Sequence, residues 1–453
     1  MALSPAAPGA RIRALLMAPT ALVSLAAFLL SGRLIFLIWH YSANIPFSDQ
    51  WDFLSPLFGP HPRISELFLL QQGPPREGVG LVLTAILYHF TSWNVRADSL
   101  MIGICVILAM LVALVLKRQL LGPLAYSDAL IPVIFLTLSQ YDTFLGVPNS
   151  SYSAFPLLFI MLYMLALQIP HEAVRCGVLL ALNILLIYTG FGFFMGLVTI
   201  GVFALALYWS TRQKARTSIA LSLAGLLISM ASLAIFFINY VFQPAVDCFE
   251  FSQTHFGQYL WFVSLMFPTF AGIKSASGLV AVLGGILLLC TLGIIAIQLF
   301  RLIVRQTSFR SPSLVIVTLA LYSLLFCFST SVGRACLGLP LAAQSSRYAT
   351  LLIPVFLAIY FHLLTIPPGA LRNSILIVLG LLLLPGHIHL PARLFWETGK
   401  KQEWANCYRQ AQDIAHCDSI TNFAVYPFPE RTHLKEKLVY LQTHRLSLFA
   451  DSQ

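Results

Sequence analysis

The chain has 453 residues, of which 58% are hydrophobic and only 10% are charged. Soluble domains carry about 25% charged residues, so this composition excludes an ordinary soluble protein. The net charge is +10. We interpret the basic residues as determinants of membrane topology and as contacts to lipid head groups. No nucleic-acid motif accompanies them, so no nucleic-acid partner is expected. Long apolar stretches without strand alternation predict an all-α polytopic transmembrane helix bundle.

Eleven apolar stretches are predicted to cross the membrane. Two further stretches, 79–93 and 257–272, are expected to form interfacial or re-entrant helices at the outer face. Counting both as full crossings would give thirteen and would place Lys117 and Arg118 outside. The eleven predicted crossings lie near 14–40, 98–116, 124–140, 153–169, 174–188, 191–209, 217–240, 277–304, 313–330, 346–366 and 373–390.

The charged residues support this topology. Arg11 and Arg13 indicate that the N-terminus is inside, which places the short basic connections inside as well. The inner basic residues are Lys117, Arg118, Arg175, Arg212, Lys214, Arg216, Arg301, Arg305, Arg310 and Arg372. The acids of the predicted outer connections are Asp49, Asp52, Glu66, Glu77, Asp98, Asp142, Asp247 and Glu250.

Two regions follow from this pattern. Residues 1–390 form the transmembrane bundle, which includes the long outer loop 41–97. Residues 391–453 form a small polar segment that the topology places outside the cytoplasm. Helices are expected within it near 397–416 and 431–443. At about 60 residues, this tail is too small to be a large independent domain.

The cysteines show no CxxC pair, so the sequence gives no support for zinc or thioredoxin-like chemistry. Cys407 and Cys417 lie in the tail and could form a disulfide if the tail is outside the cytoplasm. The alternative is two unpaired thiols. Four others are interpreted as packing residues of apolar helices, namely Cys105, Cys176, Cys290 and Cys327.

The first outer loop is a candidate catalytic segment because a long connection is usually functional. Asp49 and Asp52 follow the first crossing directly. A carboxylate here could act as a general base that deprotonates an acceptor hydroxyl. The alternative for Asp49 is capping of a helix that begins at Gln50. Structural roles are preferred for two later acids of the loop, Glu66 and Glu77.

A second candidate segment, 140–152, carries Asp142 at the outer end of a crossing. Asp142 and Asp49 face the same compartment, so they could share the base role or together hold a divalent cation. Three polar residues of this segment could hydrogen-bond sugar hydroxyls: Gln140, Asn149 and Tyr152.

A third candidate segment contains Arg334 and Arg347 at the outer ends of adjacent crossings. An arginine at the membrane interface can bind a phosphate through two parallel hydrogen bonds while its methylene groups lie on an apolar surface. The alternative is snorkelling to lipid head groups. Tyr348 adjoins Arg347 and is placed in the same candidate site.

Several of these stretches resemble the polytopic C-type glycosyltransferase superfamily, in particular bacterial membrane proteins within it. The resemblance lies in an acidic motif of the first outer loop, in an apolar helix with the sequence after it, and in a late glycine-arginine to SRY element. The matching stretches are PFSDQWDFL at 46–54, 79–93 followed by FTSWNVRADSL, GRACLGLPLAAQSSRY at 333–348 and the tail motif YPFPE at 426–430. One departure is QQGPPREG at 71–78, where related loops carry a His- and Glu-containing element.

The resemblance implies transfer of a sugar from a polyprenyl-phosphate carrier to an acceptor at the outer face of a bacterial cytoplasmic membrane. Asp49 would be the catalytic base, and Asp142 or Asp52 would assist it or hold a cation. Arg347, with Arg334 and Tyr348, would bind the carrier phosphate. The expected partners are membrane lipid, the lipid-linked donor, a glycan, lipid or protein acceptor, and an envelope-biosynthesis protein.

Two other functions compete with this hypothesis. A transporter or flippase of a lipid-linked glycan would need polar groups along a path through the membrane, and Arg33 is the main ionisable residue found at mid-span. A scaffold of an envelope glycan assembly complex would need no catalytic residue at all. Loss of transfer in an Asp49→Asn protein that still folds would separate an enzyme from a scaffold.

Overall fold

The computed structural model describes residues 18–59, 63–146, 149–244, 246–249, 256–275, 277–304, 308–339, 341–388 and 390–450. Within these ranges the regular secondary structure is helical. The described residues contain no β-strand, and one isolated β-bridge joins Gln71 and Arg76. Eight helices are long and apolar enough to cross a membrane. The predicted all-α polytopic fold is therefore confirmed. Four residues of the topology argument lie outside the described ranges: Arg11, Arg13, Glu250 and Arg305.

Eleven segments of the described chain correspond in position to the eleven predicted crossings. Three of them are short or broken, which is why fewer helices reach full membrane-spanning length. The eleven segments are Pro19–Tyr41, Val95–Leu121, 126–140, Ala154–Ala166, Glu172–Ile187, Phe193–Gln213, Arg216–Phe236, Gly278–Val304, Pro312–Arg334, Ala349–Leu364 and Ala370–Leu383.

The predicted outer connections meet at one face, which we call the loop face. The Asn44 side chain donates a hydrogen bond to the Ser447 carbonyl over 3.0 Å. The backbone amide of Gly190 donates to the carbonyl of Arg76 over 2.8 Å. These contacts join the first loop, the connection after Glu172–Ile187 and the tail.

The basic connections gather at the opposite face. Lys117 lies 2.7 Å from Asp128 in a buried ion pair. The guanidinium of Arg175 lies 4.4 Å from the centre of the Phe309 ring. The indole of Trp209 donates to a carbonyl near the end of Gly278–Val304. The basic connections therefore lie together at one end of the bundle with the acids Asp128 and Glu172, while the loop face carries both acids and arginines.

The segment predicted as one crossing at 124–140 is broken into three short pieces. These pieces are the 3₁₀ turn Tyr126–Ala129, the helix Leu130–Phe135 and the 3₁₀ turn Leu138–Gln140. The break has a local cause, because the Gln140 amide donates to the Phe135 carbonyl over 2.7 Å and competes with helical pairing. The prediction of a continuous helix here is wrong, although the segment still joins the two faces.

The two doubtful apolar stretches form the helices Gly78–Thr91 and Phe256–Phe270, of 14 and 15 residues. The first is followed by Ser92, whose carbonyl accepts from the amide of Ser447. The second is followed by Lys274, which contacts the Tyr141 hydroxyl at 3.2 Å. Both helices therefore end at the loop face and are shorter than the eight candidate spans. The total of eleven crossings stays a prediction.

The tail forms three helices rather than the two predicted. They are Ala392–Ala411, Ile414–Thr421 and Leu434–Thr443. The first ends at Gln412, which has a left-handed backbone, and Asp413 then caps the second through the amide of His416. Cys407 and Cys417, for which the sequence left both a disulfide and two unpaired thiols open, form a disulfide.

The tail shares a hydrophobic core with the first loop. Trp51 of the loop and Trp404 of the tail are both fully buried in this core. The buried amine of Lys437 donates to the Trp51 carbonyl over 2.7 Å. Asp52 accepts hydrogen bonds from the Tyr426 hydroxyl at 2.7 Å and the Thr432 hydroxyl at 2.9 Å. The carboxylate of Asp52 therefore attaches the tail to the loop.

We expect Asp52→Ala to weaken this attachment. The change leaves two hydroxyl donors without their acceptor, at a cost of about 1–3 kcal/mol in unfolding free energy. Melting of the detergent-purified protein and limited proteolysis of the tail would measure the effect. Asp247→Ala, an exposed acid at the same face, is the matched control. Equal melting of the two variants would contradict this role of Asp52.

Candidate functional site

Asp49 points toward Arg347 and does not cap a helix. The helix Gln50–Phe53 begins directly after it, but the Asp49 side chain accepts no capping hydrogen bond. Its Oδ2 atom lies instead 3.1 Å from Nη1 of Arg347. Ser48, at a positive φ of 50°, turns the chain before it and donates its amide to the Val425 carbonyl. The capping alternative for Asp49 is therefore wrong.

The Asp49–Arg347 ion pair is half-exposed, with side-chain accessibilities of 51% and 43%. Exposed ion pairs contribute about 0–1 kcal/mol to stability because water and ions screen the charges. The pair is therefore not needed to hold the fold. Both charged groups are accessible to a ligand that enters between them.

Asp142 is joined to the same arginine segment through Ser346. The Ser346 hydroxyl donates to the Asp142 carboxylate, and the Asp142 amide donates back to that hydroxyl over 3.2 Å. Ser346 directly precedes Arg347 in the 3₁₀ turn Ser346–Tyr348, which we call the arginine turn. Asp142 and Asp49 therefore both lie beside this turn. Groups of three or more metal-ligating side chains are absent from the described residues. A cation at Asp49 and Asp142 would therefore need further ligands from the substrate.

A cleft at the loop face is built around the Asp49–Arg347 pair. Arg334, the last residue of Pro312–Arg334, extends into it and makes no salt bridge or side-chain hydrogen bond with another described residue. Its guanidinium is thus available to an anionic ligand. The principal polar residues of the cleft are Asp49, Asn149, Tyr152, Arg334, Arg347 and Tyr348.

An aromatic groove continues from the cleft and shares Tyr152, Phe191 and Arg334 with it. Its walls come from the loop-face ends of three helices, Phe193–Gln213, Arg216–Phe236 and Pro312–Arg334. The rings that line the groove are those of Phe191, Phe193, Phe194, Phe236, Phe237 and Tyr240. One end of this apolar groove therefore carries the Arg334 cation, which has no ion-pair partner in the part of the chain that the structure describes.

A polar pocket adjoins the cleft and shares Arg334, Arg347 and Tyr348 with it. It lies between the turn that carries Asp142 and the first tail helix. The side chains specific to this polar pocket include Phe47, Tyr141, Asp142, Arg393 and Glu397. Its wall carries both arginines and carboxylates.

Glu77 is a buried acid beneath the cleft that the sequence did not single out as functional. Its Oε2 atom accepts a hydrogen bond from the Asn149 amide over 3.2 Å, and the Tyr152 hydroxyl also contacts the carboxyl group. Burial raises the pKa of Glu77 from its ordinary 4.5 to about 8. The carboxyl group is therefore neutral at pH 7 and supports two residues of the cleft wall.

The structure brings together five of the six predicted site residues. Asp52 is the exception, because it lines neither the cleft nor the polar pocket among the described residues and holds the tail instead. The assignment of a catalytic role to Asp52 is therefore withdrawn. The residues that do line these cavities are Asp49, Asp142, Arg334, Arg347 and Tyr348.

Comparison with known proteins adds no family to this description. Neither a family model, nor a curated protein, nor a solved structure matches the chain. The functional argument therefore depends on the geometry of the cleft, the groove and the polar pocket.

Glu77 should make stability depend on pH. Its pKa is about 8 in the folded protein and 4.5 as an ordinary value. The unfolded chain therefore loses this proton first as pH rises, so stability falls between those values and levels off above them. Glu77→Gln imitates the neutral acid and should flatten this fall. Melting temperatures at pH 5.5, 7 and 9 would measure it, and parallel wild-type and variant curves would contradict it.

Proposed function

We propose that this multi-pass membrane protein is a glycosyltransferase. It moves a sugar from a polyprenyl-phosphate carrier to an acceptor at the outer face of a bacterial cytoplasmic membrane. The observation that carries the proposal is the meeting of Asp49, Arg347 and Arg334 in one cleft at the end of an aromatic groove. An acid, two cations and an apolar channel are the parts that this reaction requires.

The aromatic groove suits the carrier chain. A polyprenyl tail stays in the bilayer, so its enzyme needs an apolar channel between helices near one face. The groove ends at Arg334, whose guanidinium can form charge-assisted hydrogen bonds with a phosphate. The phosphate would then lie between Arg334 and Arg347, with Tyr348 beside it.

The residues account for a balanced displacement. Asp49 accepts the proton of the acceptor hydroxyl, and the hydroxyl oxygen forms a bond to the anomeric carbon of the sugar. The bond between that carbon and the phosphate oxygen breaks, and its electrons leave with polyprenyl phosphate. Arg334 and Arg347 stabilise the negative charge that develops on the leaving phosphate. Attack from the side opposite the phosphate inverts the anomeric centre.

The distribution of disulfides and basic residues supports an extracytoplasmic cleft. Two disulfides lie at the loop face, Cys248–Cys336 and Cys407–Cys417. Disulfides persist in oxidising compartments. The basic connections lie at the opposite face, in agreement with the positive-inside rule. Both observations favour a cytoplasmic N-terminus and an external tail.

Asp49→Asn should reduce transfer by about 10²–10⁴-fold, since it removes the general base. Folding should be retained because the ion pair is half-exposed. The assay measures the polyprenyl phosphate that is released from a panel of polyprenyl-phosphate-linked sugars. A membrane extract supplies the acceptor, which therefore need not be known beforehand.

Asp247→Asn is the matched control for this assay, because Asp247 is an exposed acid at the loop face outside the cleft. It should release product at the wild-type rate. Equal activity in Asp49→Asn and wild type would refute the base assignment. Vectorial movement of the carrier without a new glycosidic bond would favour the flippase, and no activity of either kind would favour the scaffold.

Arg334→Gln should weaken binding of polyprenyl phosphate by about tenfold or more, because a hydrogen bond to a charged group contributes about 1.5–3 kcal/mol. Binding to the purified protein in nanodiscs can be followed by tryptophan fluorescence. Arg409→Gln, an exposed tail arginine, is the control. An equal loss in both variants would indicate general charge attraction and contradict a phosphate site at Arg334.

A further inference from the structure

One wall of the polar pocket is a turn whose backbone carbonyls accept hydrogen bonds from a buried lysine. Residues Asp142–Gly146 form a single π-type turn, and the amine of Lys401 donates to the Leu145 and Gly146 carbonyls from below. Lys401 is 4% exposed. A Cβ atom on Gly146 would lie 2.7 Å from Oδ1 of Asp142, so a larger residue there would displace that carboxylate from its present position. The hydrogen bonds from Lys401 hold the backbone of the turn that carries Asp142.

Two of the three arginines that line the polar pocket are paired, and the third, Arg334, makes no salt bridge with another described residue. Nε of Arg393 lies 2.7 Å from Oε1 of Glu397, and Arg347 is paired with Asp49. One carboxylate oxygen of Asp142 accepts from Ser346, while its Oδ1 atom accepts no hydrogen bond from a described residue. The wall thus offers carboxylate acceptors and guanidinium donors side by side.

This mixture selects for a class of ligand. A ligand of either net charge meets like charges on the wall, an anion those of Asp142 and Glu397 and a cation those of Arg347 and Arg393. Arg334, unpaired among the described residues, is assigned to the carrier phosphate by the proposed function. A hydroxyl group is both donor and acceptor, so a neutral polyol can satisfy both kinds of wall residue at once. The ring of Tyr141 adds an apolar surface for the carbon face of a sugar.

We propose that the polar pocket binds a neutral, polyhydroxylated carbohydrate through Asp142 and the Arg393–Glu397 pair. Its designation as the acceptor rests on the proposed glycosyltransferase function. The cleft with Asp49 connects the polar pocket to the carrier groove, and the pocket and groove have only Arg334 in common. A carbohydrate hydroxyl held there would approach the base from the side away from the carrier tail.

Carbohydrate binding can be measured without any transfer reaction. The purified protein in nanodiscs is titrated with neutral hexose oligosaccharides and with matched uronic-acid oligosaccharides, and binding is detected by saturation-transfer NMR and calorimetry. At least one neutral oligosaccharide should bind. Asp142→Ala and the conservative Glu397→Gln should each weaken its binding at least tenfold.

Glu403→Gln is the matched control, because Glu403 lies on the same tail helix, pairs with Lys400 and is outside the pocket. It should leave binding unchanged, and melting temperatures verify that each variant is folded. Tighter binding of the uronic-acid series, no binding of any neutral oligosaccharide, or equal binding by all variants would overturn the proposal.

The same titration separates the two proposals. A wild-type protein that binds neutral carbohydrate but releases no polyprenyl phosphate would refute the transferase function and leave the carbohydrate site standing. A protein that transfers sugar but binds no neutral carbohydrate would refute only the polar-pocket assignment.

Discussion

The position of the first loop between the tail and the helix bundle determines the geometry of the site. Trp51 is buried against tail residues, and its carbonyl is held by the buried amine of Lys437. The amide of Ser48 is held by the Val425 carbonyl. Asp49 is thus carried by a packed segment, which allows it to meet Arg347 at a sequence separation of 298 residues. A functional group on a rigid support can be positioned far better than one on a free loop.

The Asp49–Arg347 pair suits a resting state that a substrate replaces. Its side chains are half-exposed, so separating them costs little free energy. In the proposed function, a carrier phosphate in the aromatic groove would meet Arg334 and then attract Arg347 away from the acid. Asp49 would then be left without its cation and free to contact the acceptor hydroxyl. One exchange of partners would couple carrier binding to activation of the base.

The sequence predicted the features that depend on hydropathy and shared location, namely the all-α bundle of apolar helices and the common location of Asp49 and Arg347. It failed where tertiary contacts decide the outcome. Burial of Glu77 arises from packing against a segment more than 70 residues away. The Cys248–Cys336 disulfide joins positions 88 residues apart, for which spacing gives no signal. Asp52 resembled Asp49 in sequence, and only the folded tail distinguishes their roles.

The central claim is that the first loop and the late arginine turn form one site, and cross-linking in native membranes tests it most directly. Asp49→Cys and Arg347→Cys are combined in a protein whose four unpaired cysteines are replaced, and a short thiol-reactive cross-linker is added. Mass spectrometry of the tryptic peptides should find the two engineered cysteines joined. The control combines Asp49→Cys with Arg118→Cys, at the opposite face, and should give no product. Absence of a cross-link between positions 49 and 347 in folded protein would contradict the account.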